Sequence, residues 1–363
     1  MIQIKPSIHY GKIKKEILKS HIFGKNILII SSKTVWEKSY LSSVIGQLSD
    51  KYILKIYTHI QPNAPFSDLQ KIIDDYKMDV SPDTIIAIGG GSIIDAAKAL
   101  SVSFQNISIA DLFYKIKPMP RTSVKLIAIP TTAGTGAELS FGAIIYDDVK
   151  NIKGGIRGEI IQPNIVFIDA ELYRTAPKKL ISEVGFDCLT HAIETYVSLK
   201  SDALIRYQSV AAIKTVFTFL PNAVDGDLNA LKNMAIASSM MGVNLAYSST
   251  CLPHRIQYII GPLTNTSHAQ GLIALYKGWI KLIAENKSKS GLNNLEYDLG
   301  GRVNLVDKIH KLKEDLNINY SISTLGVNES QIEHIAEKTT GSVQNDPIYI
   351  SNETIIKILK ESV

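Results

Sequence analysis

The sequence of 363 residues predicts an α/β domain followed by an all-helical domain. Three observations lead to this fold class. Short apolar runs alternate with helical patterns in the first half, strand patterns stop after Glu171, and the chain is too long for one compact core to be the default. We therefore predict a doubly wound α/β domain over residues 1–171 and an all-helical domain over residues 172–363.

The predicted strands are short and β-branched, and Gly, Pro, Asp or Ser bound each of them, which is typical of parallel strands covered on both faces. They lie at residues 27–30, 52–57, 84–88, 125–129 and 165–168, and helices are predicted at 66–76 and 93–103. Helices in the second half are predicted at residues 203–220, 229–247, 269–284, 303–316, 329–339 and 352–360. The polar stretch 285–301 is predicted to be an exposed connection.

Charge and cysteine content exclude several classes of protein. The net charge is +5 and no run of five or six basic residues occurs, so nucleic acid is not an expected partner, although an anionic cofactor or substrate would suit this balance. The two cysteines, Cys188 and Cys251, imply no disulfide framework and a reducing compartment. Neither a signal region nor an apolar span of membrane length is present, so we expect a cytoplasmic protein without a membrane partner.

Two glycine-bearing loops follow neighbouring predicted strands. The strand at 84–88 runs into Gly89-Gly90-Gly91-Ser92 and then a helix, so backbone amides and a helix N-terminus could hold a pyrophosphate. The alternative is a tight turn in which Ser92 is the N-cap and Asp95 completes a capping box. The loop 130–138, which contains Thr131 and Thr132, follows the next strand and offers hydroxyl groups to a nucleotide.

A carboxylate and three histidines have the spacing of a metal site. Asp187 and His191 are four residues apart, which places both side chains on one face of a helix. His254 and His268 are fourteen residues apart, so each could start a separate helix or loop that faces the same point. This set of donors suits Fe²⁺ or Zn²⁺, whereas the alternative is an ordinary helix-face pair of Asp187 and His191.

Together these segments resemble the iron-dependent (group III) alcohol dehydrogenases, which have the dehydroquinate-synthase-like fold. The resemblance implies a dinucleotide-binding domain, a helical metal-binding domain and an active-site cleft between them. It implies NADH- or NADPH-linked reduction of a small aldehyde to a primary alcohol, and a homodimer. It also implies that Asp187, His191, His254 and His268 ligate the metal, and that the cofactor site includes Gly90, Gly91, Ser92, Asp95, Thr131, Thr132 and Lys153.

Two departures from this family concern the proton path and the cofactor. Many relatives have a second histidine four residues after the third ligand, and here that residue is Tyr258. Tyr258 is either a proton donor or a residue that packs or contacts substrate. After the first strand the sequence is Ser31-Ser32-Lys33, without the acid that often bonds the adenine ribose of NAD, so Ser32 is assigned to the cofactor site and NADPH is favoured.

A third departure concerns the substrate. Arg255 follows a ligand at a position that is usually small and neutral, and Lys277 lies on the helix after His268. Arginine suits phosphonate or carboxylate, and the segment resembles the phosphonoacetaldehyde reductase branch, which forms 2-hydroxyethylphosphonate. Alternatively, Arg255 points away and pairs with a surface carboxylate. The rival functions are a dehydrogenase of a neutral alcohol or polyol, a dehydroquinate-synthase-type cyclase and a non-enzymatic binding protein.

Overall fold

The computed structural model of the chain describes residues 3–77, 80–301 and 303–363. The chain folds into two compact units, Met1–Pro177 and Lys178–Val363. The first unit thus extends beyond residue 171, where the sequence predicts the boundary, because a short helix after the last strand packs with this unit. The hydroxyl group of Tyr40 donates to Asp169 at the start of that helix, and Tyr173 at its end is buried.

The first unit is a sheet surrounded by helices. Its strands are β1 (Ser7–Tyr10), β2 (Asn26–Ser31), β3 (Ile53–Tyr57), β4 (Thr84–Gly89), β5 (Lys125–Pro130), β6 (Gly142–Asp147), β7 (Ile152–Arg157) and β8 (Ile165–Ile168). Its helices are α1 (Lys15–Ser20), α2 (Lys33–Lys38), α3 (Leu41–Gly46), α4 (Phe66–Lys77), α5 (Gly91–Ser103), α6 (Ile109–Phe113) and α7 (Ala170–Tyr173). The predicted α/β class is confirmed.

Six of the strands form one parallel sheet in the order β1-β8-β5-β4-β2-β3, while β6 and β7 pair antiparallel to each other. All residues of β4 are buried, as its continuous apolar run predicts. The chain leaves β2 towards one edge of the sheet and leaves β4 towards the other. The topological switch point, where ligands bind in open α/β sheets, therefore lies between the carboxyl ends of β2 and β4.

The second unit is helical, as predicted. Its helices are α8 (Lys178–Val197), α9 (Ala203–Val224), α10 (Leu228–Tyr247), α11 (Leu252–Thr264), α12 (His268–Glu285), α13 (Lys287–Ser290), α14 (Leu292–Asp298), α15 (Leu305–Asp315), α16 (Ile332–Lys338) and α17 (Asn352–Glu361). Its core includes the fully buried rings of Phe186, Tyr276 and Trp279. None of the helices in the described residues is long and apolar enough to cross a bilayer.

The prediction for residues 285–301 is wrong. This stretch forms α13 and α14 instead of an exposed connection, and Leu292 and Leu295 of α14 are fully buried. Only a few apolar side chains anchor these two short helices, so their composition resembles that of a loop. The helix predicted to end at residue 220 instead continues as α9 through Pro221 to Val224.

Candidate metal centre and nucleotide-binding edge

The four predicted ligands come from three helices of the second unit. Asp187 and His191 lie one turn apart in α8, and His254 lies in the first turn of α11. His268 is the first residue of α12, where Ser267 and Gln270 form a capping box. Asn265, in the left-handed conformation with φ of 52°, ends α11 and lets the chain turn into α12.

These side chains converge on one point. Ligand atoms of Asp187, His254 and His268 lie within 4.8 Å of one another. The Nε2 atom of His191 is 3.0 Å from Nε2 of His254 and 3.7 Å from Oδ1 of Asp187. Asp187, His191 and His254 are buried, and His268 is half-buried. The alternative of an ordinary helix-face pair of Asp187 and His191 therefore does not fit, because His254 lies beside both side chains.

The charges of the cluster favour a cation. Burial by itself raises the pKa of Asp187, but the imidazoles of His191 and His254 hold that pKa well below its usual range. Burial acts in the opposite direction on His254, whose pKa the carboxylates of Glu194 and Asp187 nevertheless raise to about 9. The carboxylates thus stabilise positive charge at the buried imidazoles, whether a proton or a metal ion supplies it.

The chemistry of the donors fits a divalent ion. The Nδ1 atom of His254 is 2.8 Å from Oε2 of Glu194, and that of His268 is 2.5 Å from Oε1 of Gln257. An acceptor oxygen at Nδ1 leaves Nε2 of each ring as the lone-pair donor. Two such atoms 3.0 Å apart, as in His191 and His254, repel each other unless a proton or a cation lies between them. One carboxylate and three imidazoles are the ligands that Fe²⁺ or Zn²⁺ accepts.

Glu194 and Gln257 contact the predicted ligands His254 and His268, and the sequence analysis assigns a role to neither of them. Both are fully buried, on α8 and α11 respectively. Gly261 and Gly271 make room for Gln257, because a Cβ atom at either position would lie 2.8 Å from an atom of its side chain. Glu194 lies in the same motif as two of the ligands, but nothing in its spacing indicates a contact with residues 60 positions later.

The predicted nucleotide site in the first unit lies at the carboxyl ends of β2, β4 and β5, which are adjacent in the sheet. Its two loops touch each other. A Cβ atom at Gly90 would lie 2.9 Å from Oγ1 of Thr132, and one at Gly91 would lie 2.9 Å from Cγ2 of Thr135. Glycine is therefore needed at both positions to bring the start of α5 against the threonine loop.

The capping-box alternative for Ser92 and Asp95 is wrong. Gly90 is the N-cap of α5 and has no side-chain cap, so the amides of the first turn are not bonded by a capping side chain. Oγ of Ser92 instead accepts from the backbone N–H of Asn63 at 3.1 Å. Oδ2 of Asp95 accepts from the N–H of Ile144 at 3.0 Å, whereas its buried Oδ1 has no partner in the described residues.

Asp95 and Lys153 give this edge polar groups of both signs. Burial raises the pKa of Asp95 to about 6, although Lys98 nearby lowers it. Nζ of Lys153 donates to Oδ1 of Asn63 at 2.8 Å, which links β7 to the loop after β3. An unpartnered carboxylate oxygen and a buried ammonium group beside an uncapped helix start fit the hydroxyl and phosphate groups of a nucleotide. Asn63, with φ of 66°, is the member of this group that the sequence does not indicate.

Ser32 lies at the end of β2, where its Oγ caps α2 by accepting from the N–H of Val35 at 3.4 Å. Neighbouring Lys33 lies 3.9 Å from Glu37. The carboxyl end of β2 thus presents a hydroxyl and a lysine next to the switch point, and no acid follows the strand directly.

The structure places the predicted substrate residues in two locations. The guanidinium of Arg255 lies 5.7 Å from the ring centroid of Tyr258, whose ring stacks on His268 at 6.2 Å. Nη2 of Arg255 donates to Oγ1 of Thr250 at 2.8 Å, and its buried Nε has no partner in the described residues. Lys277 does not join them: it is exposed, and its ammonium group lies 3.4 Å from the carbonyl oxygen of Val363.

Profiles of one family cover both parts of the chain. The profile described as iron-containing alcohol dehydrogenase matches residues 6–170, and the C-terminal profile of the Fe-containing alcohol dehydrogenase family matches residues 182–363. The chain therefore belongs to the iron-containing alcohol dehydrogenase family. Its curated relatives include enzymes named as NADPH-dependent and NAD-dependent, so iron and a nicotinamide cofactor are confirmed at the level of the family.

The three similar proteins described next are 30% identical to this chain or less. The alcohol dehydrogenase of Thermococcus barophilus is 30% identical over 67% of this chain and 65% of its own length. The NADPH-dependent butanol dehydrogenase of Clostridium saccharobutylicum is 27% identical over 97% of this chain and 95% of that enzyme. The chain thus spans less than two thirds of the length of some relatives. In fold it is similar to sulfoacetaldehyde reductase from Bifidobacterium kashiwanohense in complex with NAD⁺, with a TM-score of 0.88 and 23% identity over 99% of this chain and 97% of that one.

Proposed function

We propose that the chain is a metal-dependent, NADPH-linked reductase of a small anionic aldehyde, with phosphonoacetaldehyde as substrate and 2-hydroxyethylphosphonate as product. The observation that carries the substrate class is the position of Arg255. Its guanidinium lies one ring away from the ligand His268, and it forms no ion pair with a carboxylate of the described residues. The alternative of a surface ion pair therefore has no support, and the unpartnered Nε suits an anionic oxygen.

The metal ligands and Arg255 would have separate roles in the reaction. When bound, the divalent ion supplies a Lewis acid for the carbonyl oxygen, and the reduced nicotinamide supplies a hydride. Asp187 and the three histidines would hold the ion. Arg255 would bind the anionic end of the substrate, and Thr250 and Tyr258 keep the guanidinium in place. Lys277 takes no part, because its ammonium group lies at Val363.

Sulfoacetaldehyde reductase, a protein of similar fold, is named for an anionic aldehyde, whereas other relatives are named for butanol, methanol and lactaldehyde. The test is NADPH consumption by Fe²⁺-loaded protein, without oxygen, on phosphonoacetaldehyde and on propanal. We expect kcat/KM to favour the phosphonate strongly. Preference for propanal would overturn the anionic substrate and favour a reductase of neutral aldehydes.

An Arg255→Ala variant tests the residue itself. Loss of a charge-assisted hydrogen bond should lower kcat/KM for the phosphonate about 10- to 100-fold and leave that for propanal within about threefold. Arg206→Ala is the matched control, because Arg206 also lies over a tyrosine ring, at 5.6 Å from Tyr196. Full activity of Arg255→Ala on the phosphonate would refute this role.

The preference for NADPH depends on Ser32 and Lys33 at the carboxyl end of β2. A Ser32→Asp variant would place a negative charge where a 2′-phosphate is expected. We expect the ratio of kcat/KM for NADPH to that for NADH to fall at least tenfold in this variant. An unchanged ratio would remove Ser32 from the cofactor site.

A Tyr258→Phe variant separates the two roles left open for Tyr258. A proton donor predicts a lower kcat and a changed pH profile, because the hydroxyl group is lost. A packing role predicts nearly unchanged kinetics, because the ring that stacks on His268 and lies under Arg255 is kept. Both parameters are read from the same aldehyde-reduction assay.

A further inference from the structure

Glu194 is a fully buried carboxylate three residues after the ligand His191 on α8. Its Oε2 atom accepts from Nδ1 of His254 at 2.8 Å and from the backbone N–H of Cys251 at 2.7 Å. Cys251 is the N-cap of α11 and has no side-chain cap of its own. One oxygen atom thus holds both the start of the helix that carries His254 and the ring of His254 itself.

The contact determines which nitrogen of the ring is available. An ionised carboxylate only accepts hydrogen bonds, so Nδ1 of His254 keeps its hydrogen. The other nitrogen, Nε2, then lies 3.7 Å from Oδ1 of Asp187 and 3.0 Å from Nε2 of His191. Without Glu194 the ring could rotate or adopt the other tautomer, and Nε2 would no longer be fixed towards the other ligands.

His268 provides an internal comparison. Its Nδ1 atom also has a buried oxygen as partner, but that oxygen belongs to the neutral side chain of Gln257. At Nδ1, His254 has a carboxylate as its partner, whereas His268 has a carboxamide. Glu194 therefore adds a second buried negative charge to that of Asp187, so that two carboxylates would face the two charges of a divalent ion.

We propose that Glu194 is a positioning residue that fixes His254 as an Nε2 donor and sets the affinity of the centre for a divalent ion. It would not touch the ion itself. A carboxylate behind a ligating imidazole orients the ring and makes it more basic, and loss of such a partner weakens metal binding about 10- to 100-fold. This role does not depend on the identity of the aldehyde.

The test compares Glu194→Gln with Asp346→Asn in competition titrations of metal-free protein with Zn²⁺. Asp346 is also a buried carboxylate, and its Oδ2 accepts from the N–H of Leu252 at 3.0 Å in the same first turn of α11. Within the described residues its hydrogen bonds go to Leu252, Trp279 and Ile348, and not to a ligand ring. We expect Glu194→Gln to weaken Zn²⁺ binding about 10- to 100-fold and Asp346→Asn to change it less than about threefold.

Co²⁺ supplies a spectroscopic readout, because its visible absorption reports the ligand geometry. We expect an altered Co²⁺ spectrum in Glu194→Gln and the wild-type spectrum in Asp346→Asn. Equal losses of affinity in both variants would mean that Glu194 acts only on the end of α11. An unchanged affinity in Glu194→Gln, or a wild-type protein that binds neither ion, would also overturn the proposal.

A measurement on the wild-type protein applies if Glu194→Gln does not fold. In Zn²⁺-loaded protein with ¹⁵N-labelled histidine, the assigned ring of His254 should keep a hydrogen on Nδ1 and bind the ion through Nε2. The reverse pattern would contradict the proposal. Neither experiment uses an aldehyde, so failure of the proposed substrate would leave both results interpretable.

Discussion

Replacement of Gly271 by alanine should disturb the metal centre without touching a ligand. Gly271 lies in α12, and a Cβ atom there would lie 2.8 Å from Cγ of Gln257 and 3.3 Å from its Nε2. Ordinary contact begins near 3.4 Å, so the side chain of Gln257 must retreat by about 0.6 Å. Gln257 is fully buried and its Oε1 is the partner of Nδ1 of His268, so this retreat weakens the hold on His268.

Two opposing terms set the stability of this variant. Alanine in place of glycine inside a helix contributes up to about 1 kcal/mol. Overpacking in a well-packed core costs about 1–3 kcal/mol. We therefore expect a net destabilisation of about 0–2 kcal/mol, together with about tenfold weaker Zn²⁺ binding because the partner of a ligand has moved.

The assays are thermal unfolding of the metal-free protein and Zn²⁺ competition titration. Gly46→Ala is the control, because Gly46 ends α3 and a Cβ atom there would have no neighbour within 4 Å. We expect this control to be neutral or slightly stabilising, with unchanged Zn²⁺ affinity. Wild-type affinity in Gly271→Ala would refute the reasoning that Gln257 positions His268.

Three further predictions concern buried charges. Lys98→Met should destabilise the protein by about 2–4 kcal/mol in thermal unfolding, because the fully buried ammonium group donates to the carbonyl oxygens of Ser140 and Gly142, at 2.9 and 2.7 Å, which would be left unpaired. NADPH binding, followed by fluorescence, should weaken below about pH 6, since the pKa of Asp95 is about 6 and its protonation removes an acceptor. Zn²⁺ affinity should rise about tenfold per pH unit up to about pH 9 and then level off, because the ion must displace a proton from His254, whose pKa is about 9.

Two of these predictions have a control variant, and each of the three has an outcome that would contradict it. Lys98→Arg retains the positive charge but adds bulk at a fully buried site. If Lys98→Arg is destabilised as much as Lys98→Met, then the volume of the side chain, and not its hydrogen bonding, decides the loss of stability. Asp95→Asn should abolish the change in NADPH affinity near pH 6, and persistence of that change would assign it to another group. A Zn²⁺ affinity that does not vary between pH 6 and 9 would contradict proton displacement at His254.

The strands with a full cover of other elements could be predicted from the sequence, because burial on both faces requires a continuous apolar run. The edge strand β3 is predicted by its apolar run although it is only partly buried, whereas the edge strand β1 has four residues, is exposed at both ends and has no such run. The hairpin of β6 and β7 was not predicted either, because Gly154 and Gly155 interrupt its apolar pattern. Likewise α14 is anchored by little more than Leu292 and Leu295.

The four candidate ligands stand out along the chain by their chemistry and spacing, and the structure brings Asp187, His191, His254 and His268 together. The residues that contact these side chains, and Asn63 at the nucleotide-binding edge, could not be predicted, because each makes its contact with a segment distant along the chain. Glu194 reaches His254 from 60 positions away, and Asn63 reaches Lys153 from 90. Carboxamide and carboxylate side chains are common, so only the folded chain distinguishes these members from the rest.

The number of divalent ions that the chain binds tests the proposed metal centre. Metal-free protein is loaded with Fe²⁺ without oxygen, freed of unbound ion and analysed for iron, in parallel with Asp187→Ala. We predict about one ion per chain in the wild-type protein and almost none in the variant, since Asp187 would contribute the carboxylate among the four proposed ligands. Wild-type protein without bound iron, or equal iron content in both proteins, would contradict the proposed metal centre.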